Sequence, residues 1–171
     1  MAQRILIVGS CAAGKSTLGT ALAARLGLPL VHLDQHYWRP GWVEPSTEEW
    51  RGQVAGLVAA ERWVMDGNYG GTLDLRLPRA DLIVLLDQPR RRTLYRAIRR
   101  RVLRDRVDQL DGSPERITWG FLKWIWDYPV RGRRILLDRI AEHAPDTPFA
   151  RLRGPREVAD WLAAQPESAR K

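Results

Sequence analysis

Short apolar runs alternate with longer amphipathic stretches along most of the chain. Five runs have the length of buried strands and predict strands at residues 4–8, 30–33, 62–65, 81–86 and 149–152. The stretches that follow them predict helices at residues 16–26, 46–60, 89–106, 118–141 and 155–164. Strands that alternate with helices build a parallel sheet with helices on both faces, so the pattern predicts the α/β class.

Local signals define several of these boundaries. Gly27 supplies a left-handed stop for the first helix. Ser46 and the acidic pair after Thr47 are typical of a capped helix start. Pro129 is expected to break or kink the helix predicted at residues 118–141.

The length of 171 residues predicts a single domain at residues 1–165, followed by a loose tail at residues 166–171. The longest apolar run, Leu82–Leu86, is too short to span a membrane or to form a signal peptide core. The chain has one cysteine, Cys11, which excludes a disulfide scaffold and favours the reducing cytoplasm. Membrane-spanning and secreted classes are therefore not expected.

A phosphate-binding loop motif carries the chemistry of the chain. Residues 9–16 match G-x-x-x-x-G-K-[ST] at every defined position, between a predicted strand and a predicted helix. Backbone N–H groups of such a loop surround phosphate oxygens, and the helix dipole adds positive potential. We expect Lys15 to reach the β- and γ-phosphates of ATP and the Ser16 hydroxyl to bind Mg²⁺. The residues expected to hold the nucleotide are Gly9, Ser10, Cys11, Ala12, Ala13, Gly14, Lys15, Ser16 and Thr17.

Three acidic residues follow successive predicted strands, at the sheet edge where parallel α/β proteins bind ligands. Asp66 is expected to bind Mg²⁺ through water, although its Asp-Gly pair is also a common turn. Asp34 is either an acid that serves the phosphoryl acceptor or a simple turn residue. Asp87, just before Gln88-Pro89, is expected to cap the next helix, and the alternative is a role in the site.

The charge of the chain is strongly basic, with 28 Lys and Arg against 20 Asp and Glu and a net charge of +8. Such a balance is typical of proteins that bind phosphate. Many arginines lie in the helix predicted at residues 89–106, where a solvated basic face is the ordinary interpretation. The alternative is that this helix and the segment after the proline break supply charge to the transferring group. The candidates for that role are Arg100, Arg101, Arg131 and Arg134.

The aromatic and histidine residues divide between packing and recognition. Trp38 and Trp42 flank a Pro-Gly turn and either stack on a flat ligand or pack the loop onto the core. The tryptophans of the later helix are expected to pack: Trp119, Trp124 and Trp126. His32 is expected to be a satisfied core residue, whereas His36 lies where a substrate could touch it. No spacing of His, Cys and Asp suggests a further metal site.

The order of the P-loop, Asp34, Asp66-Gly67 and the arginine-rich segments resembles the P-loop nucleoside monophosphate kinase superfamily. The stretches at residues 33–42 and 66–69 are similar to adenylate-kinase-related bacterial proteins often labelled DNA topology modulation proteins. The resemblance implies a three-layer sandwich around a five-stranded parallel sheet whose second strand is at an edge. It also implies an acceptor segment at residues 34–61 and a short helical lid at residues 99–134.

One departure from adenylate kinases concerns the acceptor. Those enzymes follow their Asp-Gly with Phe-Pro-Arg, whereas this chain has Asn68-Tyr69-Gly70. The arginine that would bind an acceptor phosphate is therefore missing at that position, and Arg76 is the candidate to replace it.

The function expected from the sequence is Mg²⁺-dependent transfer of the γ-phosphoryl group of ATP to a small acceptor, plausibly a nucleotide or nucleoside. A nucleic-acid-binding regulator that uses ATP as a switch is the main alternative, because the chain is basic. No known DNA-reading motif is visible, which favours the kinase. The third hypothesis is an ATPase that transfers to water, for which no catalytic base can be named.

Overall fold

The computed structural model describes residues 2–103 and 118–167. The strands are β1 Arg4–Gly9, β2 Leu30–His32, β3 Trp63–Asp66, β4 Leu82–Leu86 and β5 Phe149–Leu152. They form one parallel sheet in the spatial order β2-β3-β1-β4-β5. The α/β class, the five parallel strands and the edge position of β2 are therefore confirmed.

Helices cover both faces of this sheet. Those of the described residues are α1 Lys15–Leu26, α2 Leu33–Tyr37, α3 Thr47–Ala59, α4 Leu73–Arg76, α5 Arg90–Leu103, α6 Trp119–Asp127, α7 Gly132–His143 and α8 Pro155–Ala163. None of them is long and apolar enough to cross a membrane.

Side chains of the central strand alternate between two apolar cores, one on each face of the sheet. Leu6 and Val8 face the core that α3, α4 and α7 cover. Ile5 and Ile7 face the core that α1 and α8 cover. Because these strands are parallel, the carboxyl ends of β1, β3 and β4 lie at the same edge of the sheet. Helices α1 and α8 cover the same face.

The predicted boundary signals are confirmed. Gly27 has a φ of +63° and donates its N–H to the Ala23 carbonyl, which ends α1. The Ser46 hydroxyl accepts a 3.2 Å hydrogen bond from the Glu49 N–H at the start of α3. Around Pro129 the chain leaves helical geometry, since α6 ends at Asp127 and α7 begins at Gly132.

The end of the second strand differs from the prediction. The strand stops at His32 instead of Leu33, and the chain turns into α2, so that Asp34 lies in the first turn of that helix. Leu33 is fully buried, and a Cβ at Gly67 would lie only 2.8 Å from the Leu33 Cβ. The close packing of Leu33 on Gly67 accounts for the early turn.

The prediction that the α6 tryptophans pack is wrong for Trp119, whereas Trp124 and Trp126 pack in part, against Tyr128 and Arg90. Trp119 is 81% exposed, and Trp124 and Trp126 are 46% and 44% exposed. Ile125 is the buried residue of α6, so this helix adds little to the apolar core. Trp126 instead lies against the Arg90 guanidinium, whose carbon is 4.8 Å from the ring centroid.

Candidate active site

The phosphate-binding loop connects β1 to α1 and depends on two glycines with positive φ. Gly9 has a φ of +145°, and a Cβ there would lie 2.5 Å from the Leu86 carbonyl oxygen. Gly14 has a φ of +99° and precedes the first residue of α1. The loop conformation therefore requires glycine at both positions, and it leads the chain directly into a helix N-terminus.

Lys15 folds back over this loop. Its Nζ donates hydrogen bonds to the carbonyl oxygens of Gly9, at 3.1 Å, and of Ser10, at 3.0 Å. These bonds hold the ammonium group above the concave side of the loop. A phosphate bound there would meet a positive charge that is already in place.

A cavity of about 460 Å³ opens over the loop and extends to α8. Its polar walls include the P-loop residues from Cys11 to Thr17, together with Asp34, Asp66 and Gln88. Its apolar wall is formed by α8 residues: Pro155, Val158, Ala159 and Leu162. Three arginines of α5 also line it: Arg96, Arg99 and Arg100. The cavity thus combines a phosphate cradle with an apolar wall.

The residues predicted to bind Mg²⁺ line this same cavity. Ser16 stands in the first turn of α1, and Asp66 is the last residue of β3. Asp66 is 3% exposed, and both of its carboxylate oxygens lie 3.1 Å from the His32 Nδ1, which must donate because a carboxylate only accepts. A hydroxyl and a carboxylate fit the preference of Mg²⁺ for hard oxygen ligands. No group of three or more acids, histidines and cysteines that could hold a metal occurs in the described ranges.

The confirmed burial of His32 has a consequence that the sequence did not show. The imidazole is 8% exposed and hydrogen-bonded as predicted, but its partner is the candidate metal ligand. His32 therefore orients the Asp66 carboxylate. His36, the other candidate histidine of this segment, is exposed and lines neither of the cavities described in this section.

A second cavity, of about 600 Å³, adjoins the first. Its aromatic walls are formed by Trp38, Trp42, Tyr69, Phe121 and Trp124. The two cavities share five lining residues: Cys11, Lys15, Asp34, Gly67 and Arg100. A ligand in either cavity can therefore reach the same lysine, carboxylate and arginine.

Asp34 stands at this junction and is held by a tyrosine. The Tyr69 hydroxyl donates a 2.7 Å hydrogen bond to the Asp34 Oδ1. Tyr69 also packs on Tyr37 and Trp50, with ring centroids 4.6 and 5.0 Å away. The aromatic cluster thus positions the carboxylate in addition to lining the cavity.

The arginines predicted to act in the reaction do not all lie at the site. Arg100 lines both cavities, and its Nη2 lies 4.0 Å from the Cys11 Sγ. Arg131 and Arg134 are exposed and line neither cavity, so the structure does not bring them to the loop. The Arg101 side chain and residues 104–117 of the predicted lid lie outside the described part of the chain. Arg96, which sequence reasoning did not select, donates from Nη1 to the Ala13 carbonyl at 3.2 Å.

Asp87 does not have the predicted capping role. Its carboxylate accepts hydrogen bonds from Arg133, at 3.1 and 3.2 Å, and from Arg151, at 2.8 and 2.6 Å. The pair of guanidiniums takes up both carboxylate oxygens. Asp87 therefore joins the ends of β4 and β5 to the start of α7.

The suggestion that Arg76 binds an acceptor phosphate is also wrong. Its side chain is fully buried, and its guanidinium donates to the carbonyls of Gly67 at 2.8 Å, of Tyr69 at 2.9 Å and of Thr72 at 3.4 Å, and also to that of Asn68. Burial lowers the pKa of Arg76 to about 9. The arginine shapes the loop after β3 from inside.

Replacing Arg76 with leucine is expected to lower the free energy of unfolding by about 3 kcal/mol, because the carbonyls after β3 lose a charged donor that is itself fully buried. Urea denaturation measures the change. Arg79→Leu is the matched control: that side chain is exposed and donates to the Val58 carbonyl at 3.2 Å, so the loss should stay below about 1 kcal/mol. Equal losses for the two variants would contradict the role assigned to Arg76.

Several solved kinase structures are similar to this chain in fold. Shikimate kinase from Acinetobacter baumannii, in complex with shikimate, superposes with a TM-score of 0.59 at 18% identity, over 94% of this chain and 89% of that one. A gluconokinase from Sinorhizobium meliloti 1021 gives 0.55 at 16% identity, over 94% and 91%. A putative kinase from Chloroflexus aurantiacus gives 0.55 at 15%, over 95% and 96%. The chain thus has the kinase-like P-loop α/β fold.

The family is shown by a relative in sequence. The uncharacterized protein YqaC from Bacillus subtilis (strain 168) is 30% identical over 148 residues, which are 84% of this chain and 82% of YqaC. This chain belongs to the same family as YqaC. No family model matches the sequence.

These findings confirm the resemblance to P-loop nucleotide kinases at the level of the fold. They give no support to the narrower label of DNA topology modulation protein.

Proposed function

We propose that this protein is an ATP-dependent phosphotransferase that moves the γ-phosphoryl group of ATP to a hydroxyl-bearing small acceptor. The observation that carries the proposal is the meeting of the two cavities at Lys15, Asp34 and Arg100. Direct transfer requires donor and acceptor within about 3–3.5 Å of each other. A junction shared by a phosphate cradle and a second, ring-lined cavity supplies such a meeting point.

The donor side of the site is the P-loop cavity. Backbone N–H groups of residues 9–16 would hold the phosphates, and Lys15 would neutralise charge on the β- and γ-phosphates. Ser16 and Asp66 would hold Mg²⁺, which when bound neutralises further phosphate charge. His32 keeps the Asp66 carboxylate in one orientation. The Arg100 guanidinium, which lines both cavities, would stabilise the charge that develops on the transferring group.

The acceptor side centres on Asp34. An acceptor hydroxyl placed at the junction would form the new bond to the γ-phosphorus as the bond to the β–γ bridging oxygen breaks, and ADP leaves. The hydroxyl proton passes to the Asp34 carboxylate, which acts as general base. Tyr69 holds that carboxylate by its 2.7 Å hydrogen bond.

The walls of the second cavity favour an acceptor that carries a flat ring. Trp38, Trp42 and Tyr69 lie next to Asp34 and offer ring faces and edges for stacking. A nucleoside or nucleotide has both the ring and the hydroxyl. The structural neighbours named as kinases of shikimate and gluconate support a small acceptor over a macromolecular one.

Nucleic-acid binding by α5 is the alternative function. One experiment distinguishes it from phosphoryl transfer. Single Arg→Ala variants at Arg96, Arg99 and Arg100 are assayed for ADP release with a panel of nucleosides, nucleotides and sugar acids. The same variants are assayed for duplex DNA binding across a salt series. Arg92→Ala serves as the control, because Arg92 is exposed on the same helix and lines neither cavity.

We expect Arg100→Ala to lower turnover about 100-fold, as the loss of one donor to a developing charge does in other enzymes. Arg92→Ala should change turnover less than about twofold. A nucleic-acid role predicts the opposite pattern: similar, modest affinity losses at every arginine, each lowering the salt slope by about one. Unchanged turnover with that even pattern would overturn the kinase proposal.

A further inference from the structure

Gln88 is a buried amide at the carboxyl end of β4 that the proposed chemistry does not use. The residue is 4% exposed, and its Oε1 has no hydrogen-bond partner within residues 2–103 and 118–167. Buried side-chain acceptors are rarely left without a donor, and such an exception points to a ligand or another absent partner. The glutamine lines the P-loop cavity, so a nucleotide there could supply that donor.

The strand pairing puts Gln88 beside the apolar wall of this cavity. Leu86 pairs with Leu152 on β5, and the Asp87 N–H donates to the Leu152 carbonyl at 2.9 Å. The next residue, Gln88, is therefore level with the turn that leads into α8 at Pro155. Pro155 and Val158 line the same cavity, whereas the phosphate cradle is formed by the loop before α1. The position of the amide next to this apolar wall favours contact with a base over contact with a phosphate.

We infer that Gln88 recognises the adenine ring of the nucleotide, an inference that rests on the proposed use of ATP. Adenine presents its 6-amino donor next to the N7 acceptor, and a carboxamide pairs with both, its oxygen accepting from the amine and its NH₂ donating to N7. Guanine presents two acceptors, O6 and N7, at the same edge. With guanine the buried oxygen of Gln88 would keep no donor. The residue therefore sets a preference for ATP over GTP.

The first measurement uses the unmodified protein and two nucleotides that differ only in the recognised group. Purine riboside 5′-triphosphate has the ring and phosphates of ATP but lacks the 6-amino group. Titration calorimetry with Mg²⁺ should show ATP binding about tenfold more tightly than this analogue, the effect of one buried hydrogen bond. GTP should bind more weakly than ATP by at least a similar factor.

The second measurement removes the amide. Gln88→Leu should bind ATP and the analogue within about twofold of each other, because no acceptor remains for the amine. Gln88→Glu keeps an oxygen acceptor and should keep the preference for ATP over the analogue. Gln53→Leu is the matched control: it is the same substitution at an exposed position of α3 that lines neither cavity, so the tenfold preference should persist.

The outcomes distinguish the role of Gln88 from nucleotide binding itself. Equal affinity of the unmodified protein for ATP and the analogue would overturn the role of Gln88 while leaving nucleotide binding intact. A Gln88→Leu variant that keeps the tenfold preference would overturn it as well. If neither triphosphate binds the unmodified protein, the proposed function is overturned together with this inference. If Gln88→Leu does not fold, Gln88→Ala replaces it, because alanine also removes the acceptor and the same loss of the tenfold preference is expected.

Discussion

Replacing Lys15 with alanine is expected to lower ATP-dependent phosphoryl transfer by more than about 1,000-fold, a loss of about 4 kcal/mol of transition-state stabilisation. The ammonium group already sits over the loop, bonded to the Gly9 and Ser10 carbonyls. Its charge acts most strongly as negative charge grows on the β–γ bridge, so the effect should fall mainly on kcat. ADP release with the acceptor identified from the panel measures the loss.

The fold should survive this change, because Lys15 is half-buried and the two carbonyls it leaves can bond to water. Thermal unfolding checks that point. Lys123→Ala provides the matched control, since Lys123 is exposed on α6 and lines neither cavity. Retention of more than about a tenth of the turnover by Lys15→Ala, a loss below about 1.4 kcal/mol, would contradict the role assigned to the lysine.

Most strands and helix ends of this chain can be predicted from short stretches of its sequence. The central strands β1, β3 and β4 are buried and appear as apolar runs, and the shorter runs of the edge strands β2 and β5 also correspond to strands. Helix ends at Gly27 and Ser46 also depend on nearby atoms alone. The exception is the turn at Leu33, which is imposed by contact with Gly67, a residue far along the chain. Contacts of that kind leave no periodic signal.

The candidate site divides in the same way. The loop that binds phosphate is a local motif, and the structure places it between β1 and α1 as the sequence predicts. The contacts that orient the acids are not local: His32 and Asp66 are 34 residues apart, and Asp34 and Tyr69 are 35 apart. The partners of Asp87 lie 46 and 64 residues away. One sequence shows which side chains are able to react but not which neighbour holds each of them.

The roles predicted for two charged residues, Asp87 and Arg76, are wrong for the same reason. Asp87 precedes a proline at a position that usually caps a helix, and only the fold brings Arg133 and Arg151 to it. Arg76 is the sequence candidate to replace the arginine missing after Asp66-Gly67, yet its side chain donates to the carbonyls after β3 from the end of α4. Both side chains form internal ion pairs or hydrogen bonds. Within residues 2–103 and 118–167, the arginines that line the two cavities belong to α5: Arg96, Arg99 and Arg100.

Replacing Asp34 with asparagine is expected to lower turnover about 1,000-fold, within the range that loss of a positioned general base produces. Asparagine keeps the shape of the side chain, and its oxygen still accepts from the Tyr69 hydroxyl. What it loses is the negative charge that takes the proton from the acceptor. ATP binding, measured by calorimetry, should change less than about threefold, because the loss falls on the chemical step.

Tyr69→Phe tests the hydrogen bond that orients Asp34 separately from the Asp34 carboxylate itself. This variant removes the hydroxyl that donates to the Asp34 Oδ1 but keeps the ring that packs on Tyr37 and Trp50. Turnover should fall only about tenfold, since the carboxylate remains and merely loses its orientation. If Asp34 served only as a structural partner of Tyr69, Asp34→Asn, which keeps the acceptor of that hydrogen bond, would lose no more activity or stability than Tyr69→Phe. A loss in Asp34→Asn no larger than in Tyr69→Phe would therefore remove Asp34 from the reaction and leave it as a turn residue.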